Sequence, residues 1–327
     1  MDPNLPAAES IERAAALVRA GRLVAFPTET VYGLGANALD AEAVARIFHV
    51  KGRPPNNPLI VHVADEQRAR AVVAEWPEAA RRLAGRFWPG PLSLVVAKGE
   101  RVPAVVTAGG ATVAVRVPAH PVARALIEAA GVPIAAPSAN PSNRVSATRA
   151  EHVLAGLEGR VDLILDAGPT SGGLESTVLD LTRRPPRLLR PGLISRRQIE
   201  EALGSPLEMS APSKAQANVP LPSPGMLPRH YAPAAPLDCV SQGWPAVRAL
   251  TEQSIGVGWL AMPGDPAEHL PGLVRIEMPG EAAPYSAQLY AALHSLDAAG
   301  VERIVVTLPP DGEDWAAVHN RLARMRS

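Results

Sequence analysis

Three lysines stand among 32 basic residues, and one of them lies two positions from an arginine in a stretch built to resist helix formation. That stretch is Lys51-Gly-Arg53-Pro-Pro-Asn-Asn57-Pro-Leu-Ile-Val-His62. Arginine offers a planar bidentate fork and lysine a compact, movable charge, a combination that suits phosphate. Hydrogen bonds to charged groups contribute roughly 1.5–3 kcal/mol each, so two or three such groups can hold a triphosphate. A solvated basic turn uses the same residue types. His62, alternating with Ile60 along a strand, is equally compatible with an ordinary half-buried histidine.

Three further segments gather polar side chains at the ends of apolar runs. Phe26-Pro-Thr-Glu-Thr30-Val-Tyr-Gly-Leu-Gly-Ala-Asn37 follows a strand directly, and its glycines permit a tight turn or a close backbone approach. Their spacing fits neither a Walker A loop nor a dinucleotide fingerprint. Pro133-Ile-Ala-Ala-Pro-Ser138-Ala-Asn140-Pro-Ser-Asn143-Arg-Val-Ser146 runs from an apolar strand into hydroxyl and amide groups. A ligand commonly sits there in an open α/β sheet, although turn and cap chemistry uses the same residues. Gly168-Pro-Thr-Ser-Gly-Gly-Leu-Glu-Ser176-Thr offers backbone N–H groups to an anion, and Arg190 adds positive charge at a strand end. Arg116 alternates with apolar neighbours in Val113-Ala-Val-Arg116-Val; pointing inward, it requires a carboxylate or a ligand.

The eight histidines lack metal-ligand spacing, no G-x-S-x-G elbow appears, and Cys239 is the only cysteine. Zinc and nucleophilic-hydrolase chemistry therefore have no support. Anion-binding groups outnumber nucleophiles and bases, a balance that suits chemistry by positioning and charge neutralisation on phosphate.

Elements able to position these groups follow from periodicity. Ser10 is expected to cap a helix ending at Gly21; a strand follows at 23–26, and Asp40 caps a helix ending near Phe48. Further expected elements are a strand at 59–63, a helical stretch through Arg86, and strands at 92–97 and 112–117. Helix 121–130, strand 132–136, helix 149–158 and strands at 161–165, 177–181 and 187–190 follow. Thr148 and Ser195 each begin a capping-box pattern. The fold class is α/β. An N-terminal twisted mixed sheet with helices (1–205) leads through a Pro- and Ser-rich linker (206–236) to a smaller Rossmann-like parallel α/β domain (237–327).

A chain of 327 residues, 47% hydrophobic and 20% charged, has the composition of an ordinary soluble protein of two domains. No stretch reaches the ~18 apolar residues of a membrane helix, and the N-terminus lacks signal-peptide features, so a cytoplasmic location is expected. Residues 1–205 carry 24 basic against 20 acidic residues, whereas 206–327 carry 8 against 12. An RNA-binding module using the basic face of the first domain is therefore the alternative reading, with only 4% aromatics to stack bases.

Taken together, FPTETVYGLGANA (26–38), KGRPPNNPLIVHV (51–63), FWPGPLSLVV (87–96), VAVRVPAHP (113–121), PIAAPSAN (133–140), GLESTVLDLT (173–182) and LLRPG (188–192) resemble the threonylcarbamoyl-AMP synthase family. SPGMLPRHYAP (223–233) and PYSAQLYAALHSLD (284–297) extend the resemblance into its long form, a YrdC-like domain followed by a second α/β domain. The resemblance implies that L-threonine, bicarbonate and ATP give threonylcarbamoyl-AMP, pyrophosphate and water. Downstream tRNA threonylcarbamoyl transferase proteins would use the product for the t6A modification. It implies threonine contacts from Thr30, His62, Arg116, Ser138 and Ser176. ATP would be surrounded by Lys51, Arg53, Asn57, Thr112, Asn140, Ser146, Arg190 and Tyr231, with Lys51 and Arg53 as the catalytic pair and Tyr231 part of a lid. Mg2+ would be held through the ATP phosphates, without direct protein ligands. The family often carries Gly and Pro where this chain has Asn143 and Ala147, and a basic and aromatic residue where Leu227-Pro228 stands. A related carbamoyl-adenylate enzyme of hydrogenase maturation would bring Cys-rich zinc segments, which a chain with Cys239 alone lacks. The second domain is open to roles as support, regulatory site, or platform for tRNA or a partner; direct tRNA binding stays undecided.

Overall fold

The computed structural model describes residues 6–210, 221, 223–224 and 230–326. The chain divides into two compact units. One comprises Met1–Ser142, Ser146–Ser171 and Glu175–Pro228; the other comprises Asn143–Val145, Gly172–Leu174 and Arg229–Ser327.

The first unit begins with α1 (Ala8–Arg19), β1 (Val24–Pro27), β2 (Tyr32–Asn37), α2 (Ala41–Lys51), β3 (Ile60–His62), α3 (Glu66–Arg70) and α4 (Glu78–Phe87). It continues with β4 (Leu92–Ala97), β5 (Thr112–Arg116), α5 (Pro121–Ala130), β6 (Ile134–Ala135), α6 (Ala150–Leu157) and β7 (Leu163–Ile164). β8 (Thr177–Asp180), β9 (Arg187–Arg190), α7 (Arg196–Leu203) and β10 (Glu208–Met209) complete it. One mixed sheet runs β10-β9-β8-β4-β5-β3-β6-β2-β1-β7. The second unit contains β11 (Leu237–Val240), α8 (Gly243–Thr251), β12 (Val257–Ala261), β13 (Leu273–Glu277), α9 (Ala282–Ala298), β14 (Arg303–Thr307) and α10 (Ala316–Met325). Its sheet, β11-β14-β12-β13, is parallel throughout, as the alternation of strand and helix requires.

Residues alternate between the faces of a strand, and this alternation divides the large sheet's two surfaces. Val61, Val115, Leu94, Leu179 and Leu188 enter the main core with Val44 and Ile47 of α2, Leu83 of α4 and Ile199 of α7. Their neighbours Ile60, Ala114, Val95 and Val178 belong to a separate small cluster with Leu189 and Leu221. Towards β1, Val24, Phe26, Ile134 and Ala136 are covered by α1 and α5. Part of the second face is thus packed by helices, while the part from β3 to β9 holds, among the described residues, a small apolar cluster as its floor.

Several expectations need correction. Ser10 lies inside α1, whose N-cap is Ala7 without a side-chain cap bond. Ala7 and Ala8 favour helix enough to extend it backwards past the serine. Asp40 does cap α2, accepting from the N–H groups of Glu42 and Ala43, but the helix continues to Lys51, where left-handed Gly52 ends it. The stretch through Arg86 is two helices separated around Pro77, whose ring opens the second. Ser195 forms its capping box with Gln198. Thr148 does not form one: Arg149 is the N-cap of α6, and the Thr148 carbonyl accepts from the Thr170 N–H at 3.0 Å. The expected linker contributes β10, which pairs parallel with β9.

The segment after β1 turns back as a hairpin, with Val24↔Gly35 and Phe26↔Gly33 in antiparallel register. Gly35 is a strand residue chosen for close approach: a Cβ there would lie 2.7 Å from the Phe26 ring and 2.8 Å from Ile134 Cγ2. Gly35→Ala is accordingly expected to cost about 1–3 kcal/mol through overpacking, read as a lower urea midpoint. An unchanged midpoint would show that Phe26 can move away without penalty.

Candidate active site

His62 and Arg116 close the parallel strands β3 and β5 in direct register. They extend the face of Ile60 and Ala114 by one step each, so both side chains lie on the face with the small apolar floor. Ser93, two residues before Val95, and Arg190, in register with Val178, continue the same row across β4 and β9. A line of polar groups therefore crosses one end of the sheet.

Arg116 is heavily partnered. Its guanidinium forms an ion pair with Glu29 at 2.6 Å and donates to Thr30 Oγ1 at 3.1 Å and the Gly90 carbonyl at 3.2 Å. Glu29 and Thr30 sit in the turn joining β1 to β2, which Thr28 ties together through its hydroxyl. Burial alone would raise the Glu29 pKa, but the charge and hydrogen bond of Arg116 outweigh it, and the carboxyl is held below its usual range. Beside this pair His62 is buried, its ring edge-on to Phe26. Burial, then the Arg116 charge, pushes its pKa from 6.5 down to about 3, so the imidazole is neutral at physiological pH.

At β8 and β9, Arg190 donates to the Ser176 carbonyl at 3.0 Å and its hydroxyl at 3.1 Å, and Ser176 in turn bonds Ser93 at 2.8 Å. Arg190 also reaches the Pro224 carbonyl at 3.5 Å, and the Leu221 N–H donates to the Asn56 carbonyl at 3.0 Å. The described residues of the 221–224 segment are thus docked on this face.

The second group comes from the end of α2. Lys51 is 4% exposed, and its ammonium donates to the carbonyls of Ser138, at 2.6 Å, and Asn140. Burial and then the charge of Arg53 press its pKa well below the usual lysine range. Gly52 turns the chain so that Arg53 donates to the carbonyls of Asn57 at 2.9 Å and Pro58 at 2.6 Å. The Asn57 amide is fully buried with neither its Oδ1 nor its Nδ2 in a hydrogen bond, as fits a ligand contact. Ser138 pairs by an isolated bridge with Gly33, and Ser146 donates to the buried Glu175 carboxylate at 2.5 Å. Asn143 adopts φ 65°, a left-handed conformation that asparagine tolerates.

The fold therefore gathers Thr30, His62, Arg116, Ser176 and Arg190 along one row, and joins Lys51 to Ser138 and Asn140. Thr112 opens β5, four residues before Arg116 and on the same face, about 13 Å away at strand rise. It lies within reach of an extended ligand only. Tyr231 belongs to the second unit, buried, with φ 64°, stacked on Tyr290 at 6.0 Å and beneath the Arg321 guanidinium at 5.3 Å. Leu227-Pro228 and Arg229 lie outside the described residues. Sequence reasoning passed over Glu29, Ser93 and Glu175; all three stand inside quoted motifs, but only the fold shows what each touches. Among the described residues no group of three or more His, Cys, Asp or Glu is placed to hold a metal. No helix among the described residues is long and apolar enough to cross a membrane.

A family described as "Telomere recombination" matches residues 16–192, and one described as "Threonylcarbamoyl-AMP synthase, C-terminal domain" matches 194–325. The threonylcarbamoyl-AMP synthase of Pyrococcus abyssi is 43% identical over 322 residues, 96% of this chain and 93% of its own length. The chain belongs to the threonylcarbamoyl-AMP synthase family. The Bacillus subtilis threonylcarbamoyl-AMP synthase is likewise 43% identical, over 96% of this chain and 92% of its own. A crystal structure of the Pyrococcus abyssi family member Sua5 complexed with L-threonine superposes with a TM-score of 0.89 at 42% identity, covering 98% of this chain and 96% of that one. The fold class read from the sequence, a mixed α/β sheet followed by a smaller parallel α/β domain, is the architecture of this family.

The depressed His62 pKa has a sign that can be checked. The unfolded chain binds this proton near pH 6.5 and the folded chain only near pH 3, so His62 withdraws stability as pH falls through that window, at about 1.4 kcal/mol per pH unit. In a 15N-edited NMR titration, the His62 ring nitrogens are expected to keep neutral-imidazole shifts from pH 8 to pH 5. A midpoint near 6.5 would contradict the buried, cation-flanked placement.

Proposed function

We propose that the chain is a nucleotidyltransferase joining L-threonine, bicarbonate and ATP into L-threonylcarbamoyladenylate, with release of pyrophosphate and water, for the t6A modification of tRNA. The observation that carries this reading is the site's geometry: a polar row around Arg116 and a separate cationic cradle at Lys51 and Arg53, within a chain that matches a synthase of that name over 96% of its length.

Arg116 takes the threonine carboxylate, and Thr30, His62, Ser138 and Ser176 surround the rest of the amino acid. Neutral His62 accepts or donates a hydrogen bond without adding charge. The threonine amine, once its extra proton has gone to solvent, attacks the carbon of bicarbonate, the C–OH bond breaks and water leaves, giving a carbamate; with CO2 the same carbamate forms by release of a proton. A carbamate oxygen then attacks the α-phosphorus of ATP, the bond to the β-phosphate oxygen breaks, and pyrophosphate leaves with the electron pair. Nucleophile and electrophile are both anionic at that step, so the barrier is largely electrostatic.

Lys51 and Arg53 offset that repulsion, with Asn57, Thr112, Asn140, Ser146 and Arg190 around the nucleotide. An arriving phosphate gives Lys51 the anionic neighbour that carbonyls only imitate. Mg2+ bound to the phosphates supplies further charge neutralisation and Lewis-acid polarisation. Tyr231, carried at the end of the 206–236 linker, serves as a lid excluding water from a hydrolysable product. In this division, 1–205 is catalytic and 237–327 is the second domain. The product passes to tRNA threonylcarbamoyl transferase proteins.

Pyrophosphate release by the full chain is expected to require both L-threonine and bicarbonate; release indifferent to threonine would end this reading. Arg53→Ala is expected to lose at least about tenfold in turnover, the loss of one charged contact. A near-normal rate would remove Arg53 from the site.

A further inference from the structure

Arg116 is already neutralised. Glu29 pairs with it at 2.6 Å, and the two side chains are 13% and 3% exposed. The carboxylate comes from a different element, the turn after β1, and that turn is fastened independently by the Thr28 hydroxyl and the Thr30–Arg116 bond. A carboxylate ligand approaching Arg116 would therefore meet a fixed negative charge within a few ångströms, in a partly dehydrated site where like charges repel strongly. Only a carboxylate that brings its own positive charge escapes this. An α-amino acid does, since its ammonium sits one carbon from its carboxylate.

We infer that Glu29 receives the α-ammonium of the amino-acid substrate, so that Arg116 and Glu29 together read a zwitterion. This rests on threonine being the substrate. The empty site holds one cation and one anion; the filled site holds two of each, arranged so that every charge faces an opposite one. Net charge is zero in both states, so no buried charge is left unpaired on binding or release. The other groups facing Glu29 leave this charge balance intact: Thr30 is neutral, His62 stays unprotonated at neutral pH, and burial lowers the pKa of nearby His120. Glu29 binds the ammonium and is not the base that removes its proton, because Arg116 makes it a weaker base than an ordinary carboxylate. Glu29 is then a specificity residue: it rejects hydroxy acids and other simple carboxylates that Arg116 alone would accept.

The test is calorimetric titration of the full chain with L-threonine and with 3-hydroxybutanoate, which is threonine without its amine. The unmodified protein is expected to prefer threonine by about tenfold or more, the effect of one charge-assisted contact. Glu29→Gln is expected to weaken threonine about tenfold and to strengthen 3-hydroxybutanoate, collapsing the preference. Glu29→Asp, which keeps the charge at a shorter reach, should keep a preference for threonine. Thermal melting confirms that each variant is folded. A Glu29→Gln protein that prefers threonine as strongly as the unmodified one overturns the inference and leaves the substrate assignment standing. Should Glu29→Gln not fold, equal losses for both ligands in Glu29→Asp overturn it instead. No threonine binding to the unmodified protein, with or without ATP, overturns the substrate assignment and this inference with it.

Discussion

The constraint on which the site depends is the burial of positive charge at one end of a sheet. Lys51 is almost wholly removed from water, and its described partners are the carbonyls of Ser138 and Asn140. Taking an ammonium out of water costs several kcal/mol even after relaxation, and carbonyl dipoles recover only part of that. The surrounding structure serves to hold the charge there regardless. Helix α2 runs on to Lys51, Gly52 turns the chain at once, and Asn57 and Pro58 lend their carbonyls to Arg53. The result is a cradle that an anion of several oxygens completes better than the protein does.

The second cationic centre solves the same problem differently. Arg116 is paired with a carboxylate, and the pair is balanced against a neutral histidine whose pKa is depressed by burial and then by that same guanidinium. One site therefore contains a cation held by dipoles, suited to a polyanion, and a cation held by an anion, suited to a zwitterion. Two substrates of different charge can be told apart on adjoining parts of one surface.

Much of this was legible in the sequence. Strands β4, β5 and β9 and the helix α5 follow directly from apolar periodicity, and Gly52 and Pro54 marked the turn that presents Arg53. The hairpin at β1 and β2 was legible only in part: its glycines marked a tight turn or a close backbone approach, but only the fold shows Phe26 and Ile134 filling the space above Gly35. Glu29 and Arg116 are separated by 87 positions, and no spacing rule links them; register alone brings them together. Leu221 is one of a few scattered apolar residues in a Pro-rich run without period, so its place in the β3–β9 cluster was invisible. The failed cap at Thr148 has a similar cause: the backbone there is engaged by Thr170, a tertiary partner that local pattern does not show.

The most direct measurement is a crystal structure of this chain with L-threonine and a non-hydrolysable ATP analogue. The account predicts phosphate oxygens within hydrogen-bonding distance of Lys51 and Arg53, and the threonine carboxylate on Arg116. A nucleotide bound elsewhere, with the Lys51 ammonium still resting on the Ser138 and Asn140 carbonyls, would contradict it.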